Sequence, residues 1–194
     1  MQSAYELDCR AHEAPTDTSD FELLIRWHDG QPEAGAQLIE RHFDALYRFF
    51  RNKVTDGVED LVQSSFLGCL EGAERFRGDA SFRTYLFRIA RFQLYEFLRQ
   101  KRRGRCLDFT VSSLAALGTS PTGAVARNQQ CRALGKALRA LPVQMQIALE
   151  LHYREGMTLA EIAEVQGVPL GTVASWIRRA RVQLRGLLPD ELAR

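Results

Sequence analysis

TLAEIAEVQGVPLGTVASWIRRARVQLR, residues 158–185, decides how the rest of the chain is read. Thr158 and Glu161 stand at capping-box spacing, a hydroxyl at the helix start and a carboxylate three residues on, so a helix begins there. Leu159, Ile162, Ala163 and Val165 give that helix an apolar side. It is short, because Gly167 sits where a left-handed residue is needed and Pro169 bars simple continuation. A second helix starts at about Leu170. Its Val173, Ile177, Ala180 and Leu184 recur at i, i+4, i+7 and i+11 and form one buried stripe. Thr172, Ser175, Arg178, Arg179, Arg181 and Arg185 lie off that stripe. Two helices, a tight glycine turn and a second helix that is polar and basic outside describe a helix-turn-helix. Such a helix fits the major groove, with its first hydroxyls near base edges and its arginines on bases or phosphates. A helical hairpin with a solvated basic face shares part of this pattern. The combined spacing of Ala163, Gly167, Val173 and Ile177 favours DNA.

A chain of 194 residues, 45% of them hydrophobic, accommodates one domain or two small helical ones. No run approaches the ~20 apolar residues of a membrane span, so no membrane insertion is expected. The first fifteen residues lack a basic region followed by an apolar one, so no export signal is expected. Cys9, Cys69, Cys106 and Cys131 are far apart and form no CxxC pair. Reduced thiols in a cytoplasm follow, with neither a disulfide framework nor zinc. Cys9 with His12 makes half a metal site with no second half, and His28 and His42 read as packed side chains on apolar faces. No metal and no cofactor are expected.

The net charge of +2 conceals an uneven distribution. Residues 1–44 hold three arginines against ten carboxylates, whereas 82–103 hold seven Lys/Arg against Glu96 alone. An acidic front, a basic middle and a basic end point to nucleic acid held at two places.

Taken in order, residues 1–18 are polar and aperiodic. Helical pattern starts at Ser19, with Phe21, Leu24 and Ile25 on one face, and stops at Asp29-Gly30-Gln31-Pro32. A longer helix carries Leu38, Ile39, His42, Phe43, Leu46, Tyr47, Phe49 and Phe50. After Asp56-Gly57, Glu59 and Asp60 open a third helix with carboxylates at its positive end. Its core positions are Leu61, Val62, Phe66, Leu67 and Leu70. Ser81 caps a fourth, Phe82 to about Arg103. That helix holds six rings within sixteen residues, interleaved with Arg83, Arg88 and Arg91. Rings stack unpaired bases while neighbouring arginines neutralise phosphates. Burial in a bundle with snorkelling arginine heads explains the same pattern, and it is the reading for Leu86, Ile89 and Phe97. Residues 104–125 shift to Ser, Thr, Gly and Ala and read as a flexible tether. Helices resume near Ala126, break at Pro142, and continue from Val143 to Tyr153.

The expected fold is therefore all-α: a loose acidic stretch over 1–18, a helical domain over 19–103, a linker over 104–125 and a helix-turn-helix domain over 126–194. The segment Asp60-Leu61-Val62-Gln63-Ser64-Ser65-Phe66 resembles the DLVQ-E-T-F motif of bacterial sigma factors of the extracytoplasmic-function type. Residues 80–91, ASFRTYLFRIAR, are similar to that family's F-R-x-W-L-x-x-I-A-R helix. Gly167 to Val173, followed by Arg178-Arg179-Ala180-Arg181, resemble its recognition helix. The likeness runs from about Phe21 to Leu188. Ser64 stands where the family usually has Glu, Phe92 where it has Asn, and Ala174 and Trp176 where Lys and Arg are common.

The resemblance implies a factor that binds core RNA polymerase and directs promoter-specific initiation. Asp60, Gln63 and Ser64 would meet the clamp helices of the β′ subunit. Arg77, Phe82, Arg83, Tyr85, Phe87, Arg88 and Arg91 would hold the melted non-template strand of the −10 element. Thr172, Ser175, Arg178, Arg179 and Arg181 would read the −35 duplex, while the outer face of the second domain grips the β flap. It further implies an anti-sigma partner and a monomer in the absence of polymerase, the two domains communicating only through the shared enzyme and the tether. A polymerase-independent helix-turn-helix regulator is the alternative, but it needs a dimer interface and no heptad helix supplies one. An enzyme is not indicated, since there is no G-x-S-x-G, phosphate loop or His/Asp/Glu cluster.

Overall fold

The computed structural model describes residues 18–76, 78, 80–101, 113 and 129–187, without the side chains of 129–132. Among the described residues eight α-helices run α1 Asp20–His28, α2 Pro32–Arg51, α3 Val58–Glu71, α4 Phe82–Lys101, α5 Gln129–Ala140, α6 Val143–Tyr153, α7 Leu159–Gln166 and α8 Leu170–Leu187. A single 3-10 turn, Ala73–Arg75, follows α3. No named strand occurs among the described residues. An isolated antiparallel bridge pairs Ser113 with Pro142. The rest of the expected linker, the first 17 residues and the last seven lie outside the described residues, and so do Arg77, Cys9, His12 and Cys106.

Helix boundaries follow local chemistry. Ser19 Oγ accepts from the Glu22 amide at 3.2 Å and caps α1. Asp20 then ties α1 to α2 by accepting from Arg41 Nη1 at 2.8 Å and pairing with His42 Nε2 at 2.7 Å. Pro32 occupies the first turn of α2, where its missing amide costs no helical bond. Gly57, at φ +71°, turns the chain into α3. Ser81 Oγ accepts from the Thr84 amide at 3.1 Å and starts α4. Helix α7 carries the full capping box: the Glu161 amide donates to Thr158 Oγ1 at 3.2 Å, and the Thr158 amide donates to Glu161 Oε2 at 2.8 Å. Gly167 closes α7 at φ +66°.

Helices α1 to α4 form one bundle, with Leu24, Leu38, Leu46, Phe50, Leu86 and Leu94 wholly inside. Helices α5 to α8 form a second around Leu141, Val143, Ile147, Leu151, Ile162 and Val173. Trp176 is 7% exposed and packs into this second core.

The two bundles are not held by the tether alone, contrary to the expectation from sequence. Helix α7 packs on α4. Lys53, just past α2, is wholly buried and donates to Glu150 of α6. Arg83 of α4 is paired with Glu155 in the turn after α6. Arg139 Nη1 of α5 reaches the Asn52 carbonyl at 3.3 Å. The buried apolar residues of both bundles consequently form one continuous cluster.

Candidate nucleic-acid and polymerase interface

Helix α3 exposes a polar edge. Asp60 and Gln63 are exposed and Ser64 is half-buried, as their spacing off the core stripe requires. Leu67, counted as core from sequence, is 46% exposed. It lies one turn beyond Gln63, so Asp60, Gln63 and Leu67 make a single stripe of polar residues ending in an apolar one. Phe43 and Tyr47 on α2 stack at 5.7 Å, and Tyr47 Oη donates to Glu59 Oε1 at 3.5 Å beside that stripe.

Helix α4 corrects the sequence reading of its rings. Phe82 and Phe87 are 4% and 1% exposed and belong to the core, where Phe87 meets Phe49 edge-on at 5.5 Å. Neither is available to stack a base. The reason is that α4 is packed by α2 as well as by α3 and α7, with Phe82 meeting His42 of α2 at 5.2 Å, so most of its circumference is interior. Tyr95 is also buried, and burial raises its phenol pKa.

Tyr85 behaves differently. It is half-buried and stacks flat on Phe76, with centroids 4.6 Å apart and an interplanar angle of 16°. The pair lines a cavity of about 510 Å³ together with Gly68, Gly72, Arg75 and Arg88. Close approach is possible because Gly72 has no side chain: a Cβ there would lie 2.2 Å from Tyr85 Oη. Burial raises the Tyr85 phenol, which stays neutral and donates to the Cys69 carbonyl at 3.5 Å. An open cavity with two stacked rings and two guanidinium groups suits a planar, anionic-backbone ligand.

The arginines divide into two sets. Arg88 is exposed at the cavity mouth, opposite Glu164 of α7. Arg83 is engaged by Glu155, and Arg91 lies against the Gly167 turn with its guanidinium 5.3 Å from the Tyr95 ring. In this arrangement Arg83 and Arg91 face the second bundle.

On α8, Arg178, Arg179 and Arg181 are exposed and Thr172 and Ser175 half-exposed. Thr172, Ser175 and Arg179 follow one another at i, i+3 and i+7, and Arg179 Nε donates to the Ser175 carbonyl at 3.4 Å. Arg178 and Arg181 lie on the adjoining edge, lining a groove of about 810 Å³ with Arg185, His152 and Tyr153. A second groove, about 610 Å³, shares Tyr153, Arg181 and Leu184 and is walled by Leu134, Leu138 and Leu149. Sequence reasoning missed these grooves, because Tyr153 and Leu134 read as ordinary helix residues. Tyr153 is in fact 61% exposed.

Among the described residues no group of His, Cys, Asp and Glu could hold a metal, and no helix is long and apolar enough to cross a membrane.

Comparison with known proteins places this architecture. The family model for sigma-70 region 2 matches residues 38–104, and that for sigma-70 region 4 matches 131–184. The RNA polymerase sigma-E factor of Salmonella typhimurium is 31% identical over 175 residues, covering 84% of this chain and 91% of that one. The sigma factor SigM of Mycobacterium tuberculosis is 31% identical over 179 residues, covering 88% and 85%. SigW of Bacillus subtilis is 27% identical over 172 residues, covering 83% and 92%. Among solved structures, CnrH in complex with the cytosolic domain of CnrY has a TM-score of 0.61 at 27% identity, covering 88% of this chain and 97% of that one. RpoE of Bartonella quintana, in complex with the anti-sigma factor NepR, shares the fold, with a TM-score of 0.62 at 24% identity over 78% of this chain and 94% of that one.

The two matched regions, which together span more than half of the chain, make it a transcription initiation factor of the sigma-70 class. It belongs to the extracytoplasmic-function RNA polymerase sigma factors, and directs promoter-specific initiation by core RNA polymerase.

Proposed function

We propose that the two bundles divide the promoter between them. The first, residues 19–103, docks on the polymerase β′ clamp helices through the α3 edge of Asp60, Gln63 and Ser64, extended by Leu67. It holds the melted −10 strand through Tyr85 and Arg88, joined by Arg83 and Arg91 once the second bundle moves off α4. The second, residues 126–194, reads the −35 duplex with Thr172, Ser175, Arg178 and Arg179, while Arg181 serves the phosphates. Its paired grooves around Tyr153 and Leu184 receive the β flap. Residues 104–125 span the two, and the protein works in the cytoplasm, where its polymerase is.

The observation that carries this reading is the stacked Phe76–Tyr85 pair over a cavity edged by Arg75 and Arg88. A factor that bound only duplex DNA has no use for an open ring-and-guanidinium cavity built mainly from α3, α4 and the turn between them rather than from its recognition helix. Binding at two linked sites multiplies two weak affinities through effective concentration. The relative solved in complex with CnrY's cytosolic domain supports a protein partner, an anti-sigma factor, for this chain as well.

The deciding experiment is transcription in vitro with purified core polymerase on a pool of genomic fragments, followed by mapping of start sites. Start sites sharing two spaced elements are expected. Tight binding to duplex DNA, unaffected by core polymerase and yielding no transcript, would establish the polymerase-independent regulator instead.

A further inference from the structure

We infer that Phe92 is a second stacking platform for the melted strand, so that α4 carries a track of alternating rings and arginines along its outer edge. Among the described rings of α4, Phe92 is the one left exposed, at 58%, whereas Phe82, Phe87 and Tyr95 are 4%, 1% and 7% exposed. Its position on the helix explains this. Ile89 and Gln93 face α3, where a Cβ on Gly68 would meet Ile89 Cγ2 at 3.0 Å and Gln93 Nε2 at 4.0 Å. Arg91 turns the other way, toward the Gly167 turn after α7. Between those two packed sides, positions 85, 88, 92, 96 and 99 fall on one edge at three- and four-residue intervals.

That edge alternates in chemistry: the Tyr85 ring on Phe76, the exposed Arg88, the exposed Phe92, then Glu96 and Arg99. The carboxylate of Glu96, which would repel a phosphate, is neutralised by Arg99 Nη1 at 2.5 Å. Glu164 of α7 faces the edge only at the Arg88 end. Arg88, exposed on that edge, is the cation offered to a phosphate. Ring, guanidinium, ring offers a single strand a base contact, a phosphate contact and a second base contact. Seven residues of helix separate Tyr85 from Phe92, about 10 Å along the axis, which is about three rises of stacked bases at roughly 3.4 Å. The two rings therefore hold two bases that are not adjacent, with Arg88 on the phosphates between them.

Phe92 also sets what is read. A phenyl ring has no hydrogen-bond donor or acceptor, so it cannot inspect a base edge as an Asn would. It selects by stacking alone, which tolerates every base because each has a π-face. This inference rests on the proposed function, in which α4 faces the melted strand.

The test uses holoenzyme on a promoter mapped by the transcription experiment above. 2-Aminopurine is placed singly at each −10 position of the non-template strand. Two quenched positions, about three nucleotides apart, are expected with the natural chain. Phe92→Ala abolishes quenching at one of them and weakens binding to a pre-melted promoter by about tenfold, while Tyr85→Ala abolishes the other. Phe92→Tyr retains both effects. Phe92→Leu, apolar but without a π face, behaves like Phe92→Ala. Core binding and −35 duplex binding by the Phe92 variants stay at the natural level, which shows that they fold. Unchanged quenching in Phe92→Ala overturns the inference while leaving the proposed function intact. Full activity of Phe92→Leu also overturns it, and assigns the exposed side chain to apolar contact with a protein. Failure of the natural holoenzyme to open any promoter removes both readings.

Discussion

Lys53 and Glu150, 97 positions apart in the chain, meet as an ion pair sealed between the two bundles. The ammonium is wholly buried, donates also to the Phe49 carbonyl at 2.8 Å, and sits 3.8 Å from the centre of the Phe49 ring. Gln146 Nε2 donates to the other Glu150 oxygen at 3.3 Å. Burial lowers the Lys53 pKa below its ordinary value, and Glu150 opposes that shift. The pair joins the segment just past α2 to α6, and hence the first bundle to the second.

Removing one member leaves a charge in an apolar seam. Glu150→Gln is expected to cost about 3–5 kcal/mol in unfolding free energy, whereas Lys53→Met with Glu150→Leu together is near neutral or stabilising. The sign of the pH dependence follows from Lys53. Its folded pKa is lowered, so between that value and 10.5 the unfolded chain binds the extra proton and stability rises with pH. Glu150→Gln widens that window by withdrawing the counter-charge, and its deficit therefore shrinks as pH climbs toward 10.5. Denaturant unfolding across alkaline pH measures this. A deficit for Glu150→Gln below about 0.5 kcal/mol at neutral pH would show the seam to be wet.

The Thr158 and Glu161 capping box gives a prediction of opposite sign. The Thr158 backbone amide, then its hydroxyl, hold the Glu161 carboxyl below its ordinary value. A depressed carboxyl stabilises above its unfolded pKa, and that contribution is lost as pH falls through the folded one. Thr158→Ala should cost about 1 kcal/mol at neutral pH. Glu161→Gln should cost less, and its difference from the natural chain should close in acid below pH 4.5. A difference that persists unchanged to pH 3 would refute the cap as its source.

How far these features were legible in sequence depends on their range. The box at Thr158 and Glu161, the left-handed Gly167 and the Ser81 cap are set by residues within three or four positions, and the structure has them where the pattern put them. The rings of α4 were not sorted correctly, because ring density says nothing about how many sides of a helix are covered. Phe82 and Phe87 went to the core because α2 packs on α4 as well, meeting them with His42 and Phe49, while Phe92 was left outside. Leu67 was misplaced for a related reason: an apolar residue adjoining a core stripe reads as core until the neighbouring helix is known to stop short of it. Lys53 with Glu150 and Arg83 with Glu155 were beyond reach, since nothing local marks which charges will meet across 97 or 72 positions.

Leu67 offers a test of the polymerase face. With 46% of its surface exposed, it contributes little to the core. Leu67→Ala should change folding stability by no more than about 0.5 kcal/mol. Its affinity for core polymerase should fall by about 1 kcal/mol or more, as for an apolar anchor at the end of a polar stripe. Native binding to core by a folded Leu67→Ala variant would move the contact elsewhere on α3.

Arg178 tests the duplex reader. It is exposed on α8, off the stripe of Val173, Ile177 and Ala180 that anchors the helix. Arg178→Ala should weaken −35 duplex binding by about 1–3 kcal/mol if it pairs with a base, relaxing preference at one position. If it instead meets a phosphate, the loss is uniform across sequences and the salt slope drops by about 1. Core binding is spared in both cases. Equal loss of core binding would place Arg178 in a shared interface instead.

Gly72 provides the sharpest check on the Tyr85 cavity. A Cβ at this position would lie 2.2 Å from Tyr85 Oη but 3.5 Å from Tyr85 Cζ, and 3.3 Å from the Gly68 carbonyl. Gly72 is at φ −96°, so alanine meets no backbone strain and the chief obstacle is the hydroxyl, with the Gly68 carbonyl a lesser one. The ring cannot yield by a small rotation, because it is stacked at 4.6 Å on Phe76. Gly72→Ala should therefore push Tyr85 out of register, costing about 1–3 kcal/mol in stability. It should also reduce permanganate reactivity of −10 thymines in the holoenzyme. Adding Tyr85→Phe removes the clashing oxygen, and the double variant should recover both stability and promoter opening relative to Gly72→Ala alone. Such non-additivity is the signature of two groups sharing one space, and additive losses would mean that Gly72 acts through the α3 terminus rather than through the ring.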